Sequence, residues 1–562
     1  MNLQQEKSST LLHSHKLLLV APLLFLTLFY FYPLIKIFIL SFFPNGSFDS
    51  HEIVRFFTTT SYLKVVWFTC WQAALSTLLT LIVALPGAYI YAHYRFPGKR
   101  LVQILTTIPF VLPTVVVATA FRALLGHGGL VNTLAIKYLG FVDPPIALEQ
   151  TIYFFLLAHV FYNYALVLRI VGSFWAGLAP ELSHAASVLG ASPWTTFRKI
   201  TLPLLLPAIG SAALLVFIFC FTSFGVILIL GGSGYATLEV EIYRQAVHLF
   251  NLPMAATLSI IQILINFLLM WLHAALSEKS NLAWFGSGGA GILQPVRSAM
   301  DKFYVGSHLV FVLGLLLAPM LALMIRSFLS DSGWTLDFYT ALFQPLTNSI
   351  FYVPPFTAIL NSVGFGLAAM TFALLLGLSA SSYLALSNNQ GKAFWDAIIM
   401  LPLATSAVTL GFGYIITLNK PPLNLRDSVF LVILAHTLVA FPFVVRSLLP
   451  AIRQIPHSLR EAATLLGASP QQVRWTIDFP LLRPAILVAA IFAFAISMGE
   501  FGASSFVTRP QTPTMPVAIF RFLSQPGEMN YGQAMAMSTI LMVVTATAFL
   551  FLEKLPSRFG ER

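Results

Sequence analysis

The sequence predicts an all-α polytopic membrane protein, with about twelve transmembrane helices in two homologous six-helix repeats, and three observations predict it. Of the 562 residues 58% are hydrophobic and only 9% charged, with a mean hydropathy of +0.84, which leaves too little polar surface to solvate a chain of this length. Apolar stretches of about 20 residues or more, each long enough to cross a hydrocarbon core of roughly 30 Å, recur along the whole chain. The two halves also align on each other at an offset of 277 residues: His159 meets His436, Arg169 meets Arg446, Gly190 meets Gly467, Pro203 meets Pro480, Gly225 meets Gly502 and Arg244 meets Arg521.

The twelve expected spans lie near 17–40, 63–92, 101–125, 151–171, 205–231 and 254–276, then 305–328, 357–386, 393–417, 428–449, 484–508 and 532–552. The first is too long for a signal-peptide core and lacks a following small-x-small cleavage site, so it is expected to be a retained anchor. Cys70 and Cys220 both fall inside spans, as buried apolar side chains do, and imply neither a disulfide nor a metal site.

The net charge of +11 follows membrane topology and calls for no nucleic-acid partner. With both termini on the cytoplasmic side, 20 of the 31 Lys and Arg residues face inward, Arg95, Lys99, Arg198 and Arg453 among them. The acidic residues divide 9 inside and 11 outside, so the excess positive charge lies within, as the positive-inside rule requires.

Across 181–209 against 458–486, 15 of 29 positions are identical, more than a shared taste for Leu and Ala would give. Earlier in each half the offset becomes 293, matching Pro109 to Pro402, and this places extra length in the first half near 126–150, which reads as an outer loop. The first repeat is then 1–276, the second 305–562, and the Gly/Ser-rich segment 277–304 the cytoplasmic linker. An even number of spans per repeat gives both halves the same orientation about an axis along the membrane normal. A pathway between them is the functional reading of that symmetry; a duplication kept for stability is the plainer one.

The inner loop between the fourth and fifth spans carries the most specific signal in each half. In the second, Leu459 to Leu466 reads as a short helix ended by Gly467, after which Ser469 caps the next helix, Pro470 fits its first position and Gln472 closes a capping box. Ser192 and Pro193 repeat the cap in the first. Ordinary capping of a solvated loop would account for these residues singly.

Glu461-Ala462-Ala463 followed by Gly467-Ala468 resembles the EAA loop of prokaryotic ABC importer permeases, and His184-Ala185-Ala186 with Gly190-Ala191 resembles it except that His184 stands where that family usually has Glu. The resemblance covers essentially the whole chain and implies the type I permease fold in a cytoplasmic (inner) membrane. It further implies that each loop docks on one of two cytoplasmic ABC ATPase subunits, with ATP bound there, while an extracytoplasmic solute-binding protein delivers solute. On that reading His184, Ala185, Ala186, Gly190, Glu461, Ala462, Ala463 and Gly467 are the coupling residues. The changed position, His184, would weaken one contact or be replaced by the nearby Glu181.

No GxxxxGK[ST] phosphate loop is present, so no cofactor is expected on this chain and no catalytic residue either; Gly98-Lys99 and Gly391-Lys392 are membrane-surface turns. No metal-ligand spacing appears. The matched His159 and His436 read as helix packing or as solute contacts. Glu500, in the run Ser497 to Gly502 of the eleventh span, is a costly intramembrane carboxylate whose counterpart is Ser223. These two either flank the solute path, with Gly225 and Gly502 allowing close helix approach, or Glu500 makes a structural hydrogen bond. The segments 231–244 and 509–521 read as outer loops where solute would be delivered.

Within the resembled family the fused layout, with LGGSGYATLEVEIY and GEFGASSF, looks like the permeases for thiamine and for ferric iron. Iron-type chains tend to carry Lys-Glu-Leu-Pro where Gly499-Glu500-Phe501-Gly502 stands, which tilts the expectation toward thiamine. Sulfate and molybdate permeases share a similar GEFG run but are usually single-repeat chains. A secondary transporter driven by an ion gradient is the alternative of another class, and would need ionisable midplane residues beyond Glu500.

Overall fold

The computed structural model describes residues 17–44, 46–285, 293–344, 353–386, 391–419, 421 and 423–554. The first repeat runs α1 (Leu17–Phe42), α2 (Thr60–His93), α3 (Lys99–Val111), α4 (Thr114–Leu125), α5 (Leu130–Leu139), α6 (Ile152–Ala176), α7 (Pro180–Val188), α8 (Pro193–Phe221), α9 (Gly225–Leu230), α10 (Leu238–Tyr243) and α11 (Leu252–Phe285). The second runs α12 (Ala299–Arg326), α13 (Phe356–Leu386), α14 (Lys392–Met400), α15 (Ala407–Thr417), α16 (Phe430–Arg453), α17 (His457–Leu465), α18 (Pro470–Gly499), α19 (Ser504–Val507), α20 (Met515–Leu523) and α21 (Glu528–Lys554). Among the described residues eleven helices are long and apolar enough to cross a membrane, or twelve if the pair Lys392–Ala404 and Ala407–Thr417, bent by 92°, is one span. The chain is thus an all-α polytopic membrane protein.

Small residues set the packing of each bundle. Helix α2 buries Ala73, Ser76, Thr80, Ala84, Gly87 and Ala88 as it packs on α6 and α8, and α13 buries Ser362, Gly366, Ala369, Ala373, Gly377 and Ala380 as it packs on α16 and α18. Lipid gives no hydrophobic drive between helices, so close backbone approach and its dispersion contacts must supply the adhesion. A Cβ on Gly377 would lie only 2.4 Å from the Val444 side chain. The opposite faces expose Leu78, Ile82, Leu367 and Leu375, as a lipid-facing surface does.

The first helix of each repeat lies between the last helix of its own repeat and the third span of the other. Helix α1 reaches α11 through Ser41 and Thr257, whose hydroxyls are 2.9 Å apart, and reaches the other repeat through Tyr30, which donates to the Leu401 carbonyl at 3.1 Å and pairs with Thr405 at 2.7 Å. Helix α12 packs on α4 and α21 in the same way. The halves are therefore interlocked in space although they are separate in sequence.

Several boundaries differ from the hydropathy expectation. The expected third span is broken between α3 and α4, because Pro113 has no N–H and holds Leu112 in an extended conformation. At the corresponding place in the second repeat Ser406 caps α15, accepting from the Val408 N–H at 3.0 Å. The fifth and eleventh spans stop at Phe221 and Gly499, and α9 and α19 resume after the breaks. The region 126–150 is not all loop: α5 fits between Gly129 and Gly140, whose φ of +72° ends it. Helix also occupies both ends of 277–304, since α11 continues to Phe285 and α12 begins at Ala299. Between them β2 (Gln294–Pro295) pairs in parallel with β1 (Tyr94–Arg95), and Tyr94 donates its hydroxyl to Asp301 at 3.1 Å. The Gly/Ser-rich part, 286–292, lies outside the described residues.

Candidate functional site

The four breaks meet between the repeats. Phe224 and Phe501, which correspond at the 277-residue offset, stack with ring centroids 5.3 Å apart and planes at 24°. Beside them Gly225 sits where a Cβ would lie 2.6 Å from the Thr114 hydroxyl and 3.1 Å from the Phe501 ring. Its counterpart Gly502 would place a Cβ 3.0 Å from Ala407. Thr114 and Ala407 open α4 and α15 and themselves correspond at the offset of 293, so the repeat symmetry holds down to these contacts.

A cavity of about 330 Å³ opens here, with walls from both repeats that include Ser223, Gly225, Phe501 and Gly502. Glu500 is not among the lining residues. Its carboxylate turns back on the chain, accepting from the N–H groups of Ala503 and Ser504 and from the Ser504 hydroxyl, each at 2.8 Å, so that it caps α19. His436 lies 3.6 Å away and hydrogen-bonds Ser497 at 2.7 Å and Ser504 at 2.8 Å. The matching His159 hydrogen-bonds Ser76 at 2.8 Å and Ser223 at 2.9 Å, and also lines the cavity. Each histidine thus ties the fourth or tenth span to the break that follows the next one.

Sequence reasoning missed the carboxylate that does line the cavity. Glu239 is only 1% exposed and accepts from Ser406 across the repeat interface at 2.8 Å and from Gln262 of α11 at 2.5 Å. Gln262 in turn accepts from Thr409 of α15 at 3.1 Å. Glu239 was hidden because 231–244 reads as an outer connector, whereas every residue of α10 is buried; α20 likewise carries buried residues where 509–521 reads as loop. The available signal was a pair of acids, Glu239 and Glu241, alternating with apolar residues in a short run with Thr237 ahead of it.

The two loops that carry the expected coupling residues stand apart from this site and are built alike. Gly190 and Gly467 end α7 and α17 with φ of +82° and +86°, a left-handed conformation that favours glycine. Ser192 then accepts from the Thr195 N–H at 3.2 Å, and Ser469 and Gln472 form a full capping box at 3.3 and 2.7 Å. Arg460 holds Asp478 at 2.7 Å, bracing α17 against the start of α18. His184, Ala185, Glu461 and Ala462 are exposed, while Ala186 is buried and Ala463 half-buried against their own loops. The helix tips present bare apolar pairs, Val188 and Leu189 at 87% exposure each and Leu465 and Leu466 at 88% and 89%. Among the described residues no group of three or more His, Cys, Asp or Glu could hold a metal ion.

The chain is similar to several known proteins. The ferric transport system permease protein FbpB of Actinobacillus pleuropneumoniae is 26% identical over 556 residues, 95% of this chain and 77% of that protein. The thiamine transport system permease proteins ThiP of Escherichia coli and Brucella abortus are each 26% identical, over 505 and 496 residues, covering 89% and 87% of this chain and 90% and 87% of theirs. A chain of a bacterial ABC transporter that imports the acidic polysaccharide alginate matches 50% of this chain and 99% of its own length at 19% identity, with a TM-score of 0.41. The family model for the binding-protein-dependent transport system inner membrane component matches twice, over residues 76–281 and 297–559, one match for each six-helix repeat. The chain therefore belongs to the binding-protein-dependent transport system inner membrane component family, as an ABC importer permease with both repeats in one polypeptide.

Proposed function

We propose that this chain forms the solute pathway of an ATP-driven importer for thiamine or ferric iron, coupled through its two inner loops to two separate cytoplasmic ATPase subunits and supplied by an extracytoplasmic binding protein. The observation that carries this reading is the pairing of two exposed, apolar-tipped loop helices with one shared cavity between the repeats. Uncovered apolar pairs at matched positions suit grooves on two copies of a partner, since a lone chain gains nothing by exposing them to water. ATP is then bound on the partners, both termini face the cytoplasm, and this chain itself carries no hydrolytic site. Relatives of the thiamine and the ferric kind are equally identical, so overall identity does not choose the solute.

The solute path in this proposal runs past Ser223, Gly225 and Gly502, with Glu500 serving it by holding the break of the eleventh span. The test is co-purification. Two ATPase subunits per chain, with ATP hydrolysis stimulated by a loaded binding protein, are expected from the reconstituted complex. Leu465→Asp with Leu466→Asp should strip one ATPase and abolish stimulation. Uptake that continues without ATPase and collapses with the ion gradient would replace this reading by secondary transport.

A further inference from the structure

We propose that Glu239, Asn163 and Asn266 form a solute subsite in the cavity between the repeats, one that takes the cationic or N–H-bearing face of a small organic molecule. The inference rests on the pathway reading above and deepens it.

All three residues line the cavity, and all three are buried, at 1%, 1% and 2% exposure. Asn163 donates its amide nitrogen to the His159 carbonyl at 3.0 Å, which fixes the orientation of the amide, and its Oδ1 has no hydrogen-bond partner. The Oδ1 of Asn266 is also without a partner. A buried carbonyl left unmatched is costly, so two of them lining one cavity call for a donor from outside the chain. Glu239 supplies a third acceptor. Its two oxygens already receive Gln262 and Ser406, which hold the carboxylate in place, and each oxygen has further lone-pair capacity.

The acceptors belong to the first repeat alone. At the 277-residue offset Asn163 faces Ala440 and Glu239 faces Pro516, so this half has gained, or the other has lost, the polar wall of a symmetric pathway. Packing does not demand such a difference, because Phe224 with Phe501 and Gly225 with Gly502 preserve the symmetry nearby.

The chemistry of the lining narrows the ligand. Glu239 is the only Asp, Glu, Lys or Arg among the described residues that line the cavity, so an oxyanion would meet its carboxylate and find no cation to balance it. A bare metal ion would want several carboxylate, thiolate or imidazole ligands together, and the described residues hold no such group. An organic cation satisfies the carboxylate, donates N–H to the amides, and lies against the aromatic walls of Tyr162 and Phe219, where a cation gains from the ring faces. A volume of about 330 Å³ lies at the small end of ordinary small-molecule sites, roughly 300–1,000 Å³.

The experiment is calorimetric titration of the intact permease–ATPase complex in nanodiscs, without binding protein, using thiamine, choline and spermidine as organic cations beside sulfate and ferric citrate. At least one organic cation should bind saturably, and sulfate and ferric citrate should not. Glu239→Gln should weaken that binding at least about tenfold, the loss of a charge-assisted contact, and Glu239→Asp should recover part of it. Asn266→Leu removes an acceptor without touching the Ser406 bridge, so it carries the test if Glu239 variants fail to assemble; it should weaken binding several-fold. Wild-type-like binding in assembled variants, binding of sulfate or ferric citrate as tight as that of any cation, or no cation binding at all would overturn the subsite. The wider reading fails separately, by loss of ATPase association or of stimulated hydrolysis.

Discussion

Phe224 and Phe501 occupy the same position in the two repeats and stack on one another at 5.3 Å, so the symmetry axis of the molecule passes through a contact between two side chains. A contact of that kind is made when the halves are together and lost when they part. Offset-stacked aromatic pairs contribute about 0.5–1.5 kcal/mol beyond their area, and about 1 kcal/mol shifts a two-state equilibrium roughly fivefold. Phe501→Ala and Phe224→Ala should each raise ATP hydrolysis in the absence of binding protein, and the double variant should rise by less than the product of the two. Multiplicative effects would show that the rings act independently.

The glycines beside the stack differ in the room they leave for a methyl group. Gly225→Ala would drive its Cβ to 2.6 Å from the Thr114 hydroxyl, and overpacking of that kind costs about 1–3 kcal/mol. Uptake should fall, and Thr114→Ala should restore much of it by removing the obstructing oxygen. Gly502→Ala meets Ala407 at 3.0 Å, a milder clash, and should be tolerated better. Equal loss in both variants, with no rescue, would mean that close packing is not what these positions supply.

Glu500 separates a cap from a gate. Because its carboxylate accepts two backbone N–H groups and the Ser504 hydroxyl, Glu500→Gln would turn one amide N–H₂ toward groups that already donate. A buried donor left without its acceptor costs about 1–3 kcal/mol. Glu500→Gln and Glu500→Ala should therefore both lower the melting temperature of the complex, and uptake should fall in step with the amount of folded complex. If uptake fell sharply while the melting temperature stayed at the wild-type value, Glu500 would instead act directly on the solute.

What was legible follows from how each feature writes itself into sequence. The turn between α17 and α18 was readable to the residue because local backbone demands, a left-handed Gly467 and a Ser469–Gln472 capping box, require particular residues at fixed spacing. The repeat was readable for the same reason: matched residues recur at matched positions. The breaks at Pro113, Ser406, Ser223 and Glu500 were not, because apolar residues continue on both sides and hydropathy averages over them. Interlocking of α1 and α12 with the opposite repeats leaves no trace in composition, since Tyr30 and Thr405 are ordinary residues until the fold joins them. Glu239 escaped because polar flanks made its helix look like an outer connector.

The two inner-loop helices match in backbone and differ at several exposed positions, among them the signature one, His184 against Glu461. If each docks on an identical ATPase, the contact made by a carboxylate is missing or altered on one side. Glu461→Ala should then reduce ATPase association and stimulated hydrolysis more than His184→Ala does, and His184→Glu should strengthen association of the first loop. Gly467→Ala tests the scaffold beneath: forcing a Cβ residue to a φ of +86° costs roughly 1–2 kcal/mol, enough to misplace Leu465 and Leu466 without unfolding the membrane domain. Its expected signature is intact solute binding in the cavity with lost hydrolytic stimulation. Loss of both together would place the defect in the fold of the membrane domain, and the loop would no longer be a separable coupling element.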